Sequence, residues 1–419
     1  MNSKNELKRH LLIVGASNLI TKFREIDSSI KTSVICRTSE LQFLDNIDQN
    51  QAVIIIQDHA PIELWVEYAK KMNEVDPFDS VISFVEIDQD KASAISEELN
   101  LNYHSSSTIS WILDKHLMRN RLKEVGVKTI QSKLINSIED IREFTNEFGF
   151  PAILKPSKGR SCTGITVINN DTEIDEAYLL SETSNSPRYE TSTLMIEPFL
   201  FGREYSVETL SENGKHIILS ILEKHIDHVS RVPVGHSLPA QITSDVENQI
   251  KTYLEKVLSS LNIQFGMTHS DLIISSEGPE IIEVHVCPAE DHIPELIQDS
   301  LGIDSLQYHV EQIIGLPIAD RLEDDLIQAK SNQKGAAIWY SHINFEGTLN
   351  SIRNTEDVAS SEGVQEFKLL INENTEVSRL MSSYSRIAYV RTLDENPIHA
   401  LELAKTALKK LVMFFSVKG

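Results

Sequence analysis

Residues 265–296, FGMTHSDLIISSEGPEIIEVHVCPAEDHIPEL, constrain this chain more than any other stretch. Two strand-like runs flank a turn cluster at 275–279, so the segment predicts a β-hairpin. A pairing centred on Glu277 sets Asp271 opposite Glu283 and His269 opposite His285. Cross-strand partners point the same way and side chains alternate, which puts Glu283, His285 and Cys287 on one face with His269 and Asp271. Two carboxylates side by side repel unless a cation sits between them. Mg²⁺ suits such a pair, because it takes one or two carboxylates together with phosphate oxygens. A surface hairpin with solvated acids is the plainer alternative, and this stretch alone does not decide.

Upstream, the run HLLIVG at 10–15 ends at Gly15-Ala16-Ser17-Asn18. Strand patterns at 34–37, 52–57 and 80–85 alternate with helical ones at 61–75 and 89–99, which predicts a parallel sheet with crossover helices. Gly15 would suit a nucleotide-binding turn, and hence a nicotinamide-dependent oxidoreductase. The full G-x-G-x-x-G pattern is absent, so a structural α/β domain is the better reading.

One helix is expected over 108–126, carrying Lys115 and closed by Gly126. PAILKPSKGRSCTGITVI, residues 151–168, reads as strand, glycine loop and strand, with Lys155 near the end of the first. The loop's backbone N–H groups can cradle phosphates while the lysine adds charge. It lacks the ending of a P-loop, and a plain hairpin is the alternative. LMIEPFL at 194–200 is a short strand leading to GREYSVETL, and Glu197 and Glu204 flank a segment apolar enough for an adenine ring. Backbone groups there can meet a purine edge, and a carboxylate suits ribose hydroxyls. After a turn at Asn213-Gly214, an irregular loop is expected over 231–240, with Arg231, His236 and Ser237 placed for substrate contacts. The helix at 244–261 carries a plain core stripe. Further on, 294–315 reads as helical, 317–333 as a polar connection, 335–343 and 386–391 as strands, and 397–415 as a closing helix.

The length of 419 residues allows roughly two to four domains. A net charge of −23 argues against a nucleic-acid groove or an anionic membrane surface, but not against a nucleotide in a locally basic pocket. Cys36, Cys162 and Cys287 are far apart and fit no metal-ligand spacing, which favours a reducing, cytoplasmic setting. No signal peptide or membrane span is expected.

Taken together, the helix lysine, the strand lysine, the glycine loop, E-P-F-L-x-G-x-E, the acidic hairpin and C-P-A-E-D-H-I resemble the ATP-grasp superfamily. More narrowly, the chain is similar to carboxylate–amine ligases of the L-amino-acid ligase (dipeptide synthase) type. The likeness runs from about residue 11 to the C-terminus and is most specific over 115–296. It implies an α/β (α+β) ATP-grasp fold: a Rossmann-like domain over 1–107, an ATP-grasp domain over 108–320 with a lid lobe near 127–195, and a C-terminal segment over 321–419. ATP and Mg²⁺ (or Mn²⁺) are the implied cofactors. A small-molecule carboxylate and an amine, such as amino acids, are the implied substrates, with a homodimer as assembly and a carrier-borne amine left open.

By the same likeness Lys115 and Lys155 contact phosphates, under a loop with Gly159, Ser161, Thr163 and Gly164. Glu197, Phe199 and Leu200 form the adenine hinge, Glu204 is the ribose acid, and Asp271 and Glu283 are the metal ligands. His285, the third candidate metal ligand, stands where the family writes an asparagine beside the second metal, and Cys287 where it writes an arginine that steadies the acyl phosphate. Imidazole is a poor Mg²⁺ ligand, and Cys287 reads better as a wall of the substrate site than as a nucleophile. Arg231 and Arg386 are the candidates to replace the missing cation. These departures keep a second reading open, a nucleotide-binding regulatory or scaffold protein that has lost turnover.

Overall fold

The computed structural model describes residues 9–159, 163–183 and 193–417. Four parallel strands form the N-terminal sheet, in the order Ala52–Ile56, Lys31–Arg37, His10–Val14, Ser80–Ile82. Every residue of His10–Val14 is buried, as expected of a parallel strand covered on both faces. Gly15 follows at φ +93°, and a Cβ there would stand 2.1 Å from Val85 Cγ2. Its amide donates to Ile35 O at 2.8 Å. Gly15 therefore serves a close crossing of two loops, which explains a lone glycine without a nucleotide fingerprint.

An eight-stranded antiparallel sheet carries the middle of the chain. Its order is Gly278–His285, Phe265–Ser275, Arg203–Glu212, Lys215–Ile226, Pro233–Leu238, Gly335–Ser341, Ala388–Asp394, Val364–Leu369. Alternation divides its two faces. Tyr205, Val207, Leu272 and Val284 pack with Ile250, Leu254, Val257 and Leu258 of helix Ser244–Ser260. Glu204, Ser206 and Glu208 alternate with the core residues Tyr205 and Val207 and so face the other way. A smaller sheet, Lys133–Ile135, Leu194–Pro198, Ala152–Pro156 and Thr166–Ile168, lies over that polar face, and a three-stranded sheet closes the C-terminal part.

Several elements depart from expectation. The single helix over 108–126 is two, Ser106–Leu113 and Lys115–Glu124, because Asp114 is extended and its carboxylate accepts from His116 and Leu117 N–H at 3.0 and 3.1 Å. The loop expected over 231–240 contains strand Pro233–Leu238, where Gly235 lies flat against Trp339 of the next strand. The 294–315 segment breaks at Gly302 into Ile293–Leu301 and Ser305–Ile313. The polar 317–333 connection is a helix, Ala319–Lys330, held by Ala319, Leu322 and Leu326 against the core. The closing helix ends at Leu408, and Val412–Val417 is a strand paired with Gly347–Arg353.

Candidate active site

The acidic hairpin pairs Asp271 with Glu283 and His269 with His285. Its turn is Ser276-Glu277, and Ser275 lies opposite Gly278, a register that would carry Ile282 to Asp271. A bulge between Asp271 and Leu272 shifts the pairing by one and brings the two acids together. The expected pair is thus reached by a different turn.

Those acids line one cavity between the large sheet, the small sheet and the N-terminal domain. Asp271 accepts from Ser206 Oγ at 2.6 Å, pairs with Lys224 and has His269 Nε2 at 3.4 Å. Burial would raise its proton affinity, but Lys224 and His269 hold the carboxyl far below the usual range. Glu283 stands 3.0 Å from Lys115 Nζ and 3.6 Å from His285 Nε2. Burial again opposes ionisation, and Lys115 with His285 overrides it. Lys115 opens its helix, and its Nζ also donates to Gly159 O at 3.1 Å, so it ties the acidic hairpin to the glycine loop.

Lys155, on strand Ala152–Pro156, is 5% exposed and pairs with Glu197 at 2.6 Å. The other Glu197 oxygen accepts from Arg119 Nε at 2.9 Å, and Arg119 donates to Ile282 O at 2.7 Å. Burial lowers the proton affinity of Lys155 despite Glu197. Glu197 stays ionised because Arg119 and Lys155 outweigh the same burial. Its side chain therefore braces two cations, and only its backbone remains to serve as an adenine hinge.

Phe199, Leu200, Glu204, Gly159 and Thr163 also line the cavity, and Gly164 lies in the same loop at φ +77°. Ser161 lies outside the described residues. Glu204 accepts from Arg231 at 2.8 Å, and that guanidinium sits 5.2 Å from the Phe199 ring centroid. Burial raises the Glu204 carboxyl, and Lys224 and Arg231 only partly offset it. His236 and Cys287 line the cavity. Ser237 does not: it alternates to the opposite face of its strand and bonds His225 Nε2 at 2.9 Å. Arg386 is 3% exposed and lies behind the wall, where Asp291 and Pro233 O take its guanidinium.

His285 departs from the ligand role assigned to it. Its Nδ1 lies 3.2 Å from Glu86 and its Nε2 points at Glu283. Burial opposes protonation, yet Glu86 and Glu283 raise the imidazole to about 10, so it is a cation among carboxylates. Among the described residues no three His, Cys, Asp or Glu side chains gather as a metal cage. Asp271 and Glu283, in register and facing the cavity, nonetheless suit Mg²⁺, which completes its shell with water and phosphate oxygens.

Sequence reasoning missed Lys224, Arg119, Glu86 and Asp291. Lys224 had a signal, since it lies directly opposite Glu204 on a hairpin whose Asn213-Gly214 turn was legible. Glu86 had none, because it arrives from the N-terminal domain.

Residues 148–292 match the family model described as an ATP-grasp domain, and 340–414 match that of L-amino acid ligase C-terminal domain 2. The carbamoyl phosphate synthase large chain of Thermotoga sp. (strain RQ2) is 23% identical over 321 residues, 72% of this chain and 29% of that one. An uncharacterized protein of Sinorhizobium fredii, y4rH, is 23% identical over 301 residues, 71% of this chain and 60% of that one. The chain thus spans less than two thirds of either relative. Among solved structures, L-amino acid ligase from Bacillus licheniformis superposes with a TM-score of 0.81 at 18% identity, covering 98% of this chain and all of that one. N5-carboxyaminoimidazole synthase from Aspergillus clavatus, solved with ADP and its ribonucleotide, gives 0.71 at 12% identity over 97% and 98% of the two chains.

Proposed function

We propose that this chain, which carries an ATP-grasp domain and an L-amino acid ligase C-terminal domain, joins a carboxylate to an amine at the expense of ATP. The observation that carries the reading is the convergence of Lys115, Lys155 and Lys224 on one cavity with the paired Asp271 and Glu283. A carboxylate attacking a γ-phosphate brings anion to anion, so the site's task is positioning and neutralisation. Lysines over the phosphates, with two acids among them, serve both ends.

In this mechanism the carboxylate attacks the γ-phosphate in line, giving an acyl phosphate and ADP. The amine then displaces phosphate and an amide results. Asp271 and Glu283 would hold Mg²⁺, which neutralises phosphate oxygens when bound. Lys155 and Lys115 would turn from their glutamate partners toward phosphate. Phe199, Leu200, Ile153 and Ile273 supply apolar cavity wall for an adenine ring, with Glu204 and Arg231 beside it for the ribose. Glu86, Cys287, Pro288, Ala289 and Ile293 also line the cavity, and we place the meeting of carboxylate and amine beside them. A cytoplasmic setting and amino-acid substrates, free or carrier-borne, belong to the same proposal.

The test is ADP release on mixing the protein with ATP, Mg²⁺ and paired amino acids, with mass detection of the product. Release that needs both a carboxylate and an amine, with matching amide, supports ligation. ATP binding with no turnover on any pair favours the scaffold reading.

A further inference from the structure

Strand Pro233–Leu238 carries His236 on the cavity side, opposite Lys224 of the neighbouring strand. The residue is 2% exposed. Its Nε2 lies 3.2 Å from Asp291 Oδ2, and its Nδ1 is buried with no hydrogen-bond partner among the described residues. Asp291 is itself held. Arg386 donates to Asp291 Oδ1 at 2.6 Å and Oδ2 at 3.0 Å. The same guanidinium donates twice to Pro233 O, at 2.6 and 3.1 Å. One side chain thus fixes both the carboxylate and the strand that carries the imidazole, while Tyr340 backs it with its ring centroid 4.0 Å away. Asp291 and His292 both adopt φ +59°. Two successive non-glycine residues in the left-handed region are costly unless surrounding contacts fix them.

A carboxylate only accepts, so the shared proton sits on Nε2 and the imidazole lone pair is at Nδ1. A buried ring nitrogen with no partner costs free energy, and a donor brought by a ligand removes that cost. The charged and titratable groups facing the ring are Asp291, Lys224, Arg386 and His225. Burial lowers its proton affinity, Asp291 opposes this, and Lys224 and Arg386 reinforce it. Near pH 7 the ring is neutral.

We infer that His236, oriented by Asp291, accepts the proton that the incoming ammonium must lose before it attacks the acyl phosphate. The inference rests on the ligase reading above. In the step, R–NH₃⁺ gives one proton to Nδ1, and the freed nitrogen lone pair forms the bond to the acyl carbon. The carbon–oxygen bond to phosphate breaks, and phosphate leaves with that electron pair and the second ammonium proton. Arg386 is a positioning residue that acts through Asp291.

Two half-reactions separate the possibilities. Hydroxylamine traps acyl phosphate as a hydroxamate without the acceptor amine, and mass detection reads the amide. His236→Gln, which keeps a polar side chain but takes no proton, should lower amide formation roughly tenfold or more beyond any loss of hydroxamate. Asp291→Asn should do the same, and its deficit should shrink as pH rises and free amine becomes abundant. Circular dichroism confirms folding, and His236→Asn replaces any variant that fails it. Equal loss in both half-reactions, an unchanged amide rate, or a deficit independent of pH would overturn the inference. If the wild-type protein forms neither hydroxamate nor amide on any pair, the ligase reading itself falls, and this inference with it.

Discussion

Lys155 and Glu283 were legible because each lies in a readable strand beside a glycine or acidic motif; their pairings were not, because Glu197 reaches Lys155 from a neighbouring strand and Lys115 reaches Glu283 from a helix. If the site acts as proposed, Lys155→Ala and Glu283→Gln each slow ADP formation by roughly a hundredfold or more, since the first removes positive charge from where phosphate charge builds up and the second removes a carboxylate that would hold Mg²⁺ there. Circular dichroism should show a preserved fold, and near wild-type turnover would show that the site is misplaced. Glu204→Ala should raise KM for ATP more than it lowers kcat, because a ribose contact is made equally in ground and transition states. Arg231 pairs with this same glutamate and stacks on Phe199, so Arg231→Lys should likewise act on ATP binding, through loss of the planar stack. Steady-state kinetics varying ATP separates these outcomes. The expectation that Arg231 replaces the missing cation beside the acyl phosphate could not see that an acid twenty-seven residues upstream already takes its guanidinium.

Elements were easiest to read where one local rule ruled. The Asn213-Gly214 turn, helix Gln89–Leu99 and helix Ser244–Ser260 follow from turn chemistry and helical stripes. They were hardest where tertiary contact decided, as in strand Pro233–Leu238, whose pattern of proline, glycine and histidine reads as a loop until its two neighbours supply the ladder. Asp114 is the instructive middle case. Its carboxylate caps the helix that begins with Lys115, so the cap also sets the lysine's position. Asp114→Ala should cost about 1 kcal/mol of stability and raise KM for ATP as well. Thermal unfolding together with kinetics checks this, and a stability loss with unchanged KM would separate the cap from the site.

The N-terminal part of the chain meets the large sheet and helix Ser305–Ile313 through buried histidines, which no sequence pattern marks. His104 stacks on Phe265 with ring centroids 4.5 Å apart, and His309 lies edge-on to Phe84 at 5.8 Å. Burial lowers them to about 4 and about 3. The unfolded chain binds these protons at a higher pH, near 6.5, so the stability they protect is full above that value and lost as pH falls toward 4 and 3. His285, raised to about 10 by Glu86 and Glu283 against burial, contributes in the opposite sense, and its share is lost as pH rises through 10. Melting temperature against pH should therefore fall on the acid side, and less steeply in His309→Phe; an unchanged acid limb would contradict this. In the proposed reaction Lys115, Lys155 and Lys224, with Asp271 and Glu283, serve to activate a carboxylate as its mixed anhydride with phosphate. A substrate carboxylate labelled with the heavy isotope of oxygen tests that most directly. If an acyl phosphate forms, one labelled oxygen passes to the released phosphate, seen by mass spectrometry, and appears only with Mg²⁺, ATP and amine present. Released phosphate that takes its new oxygen from water instead would contradict the account.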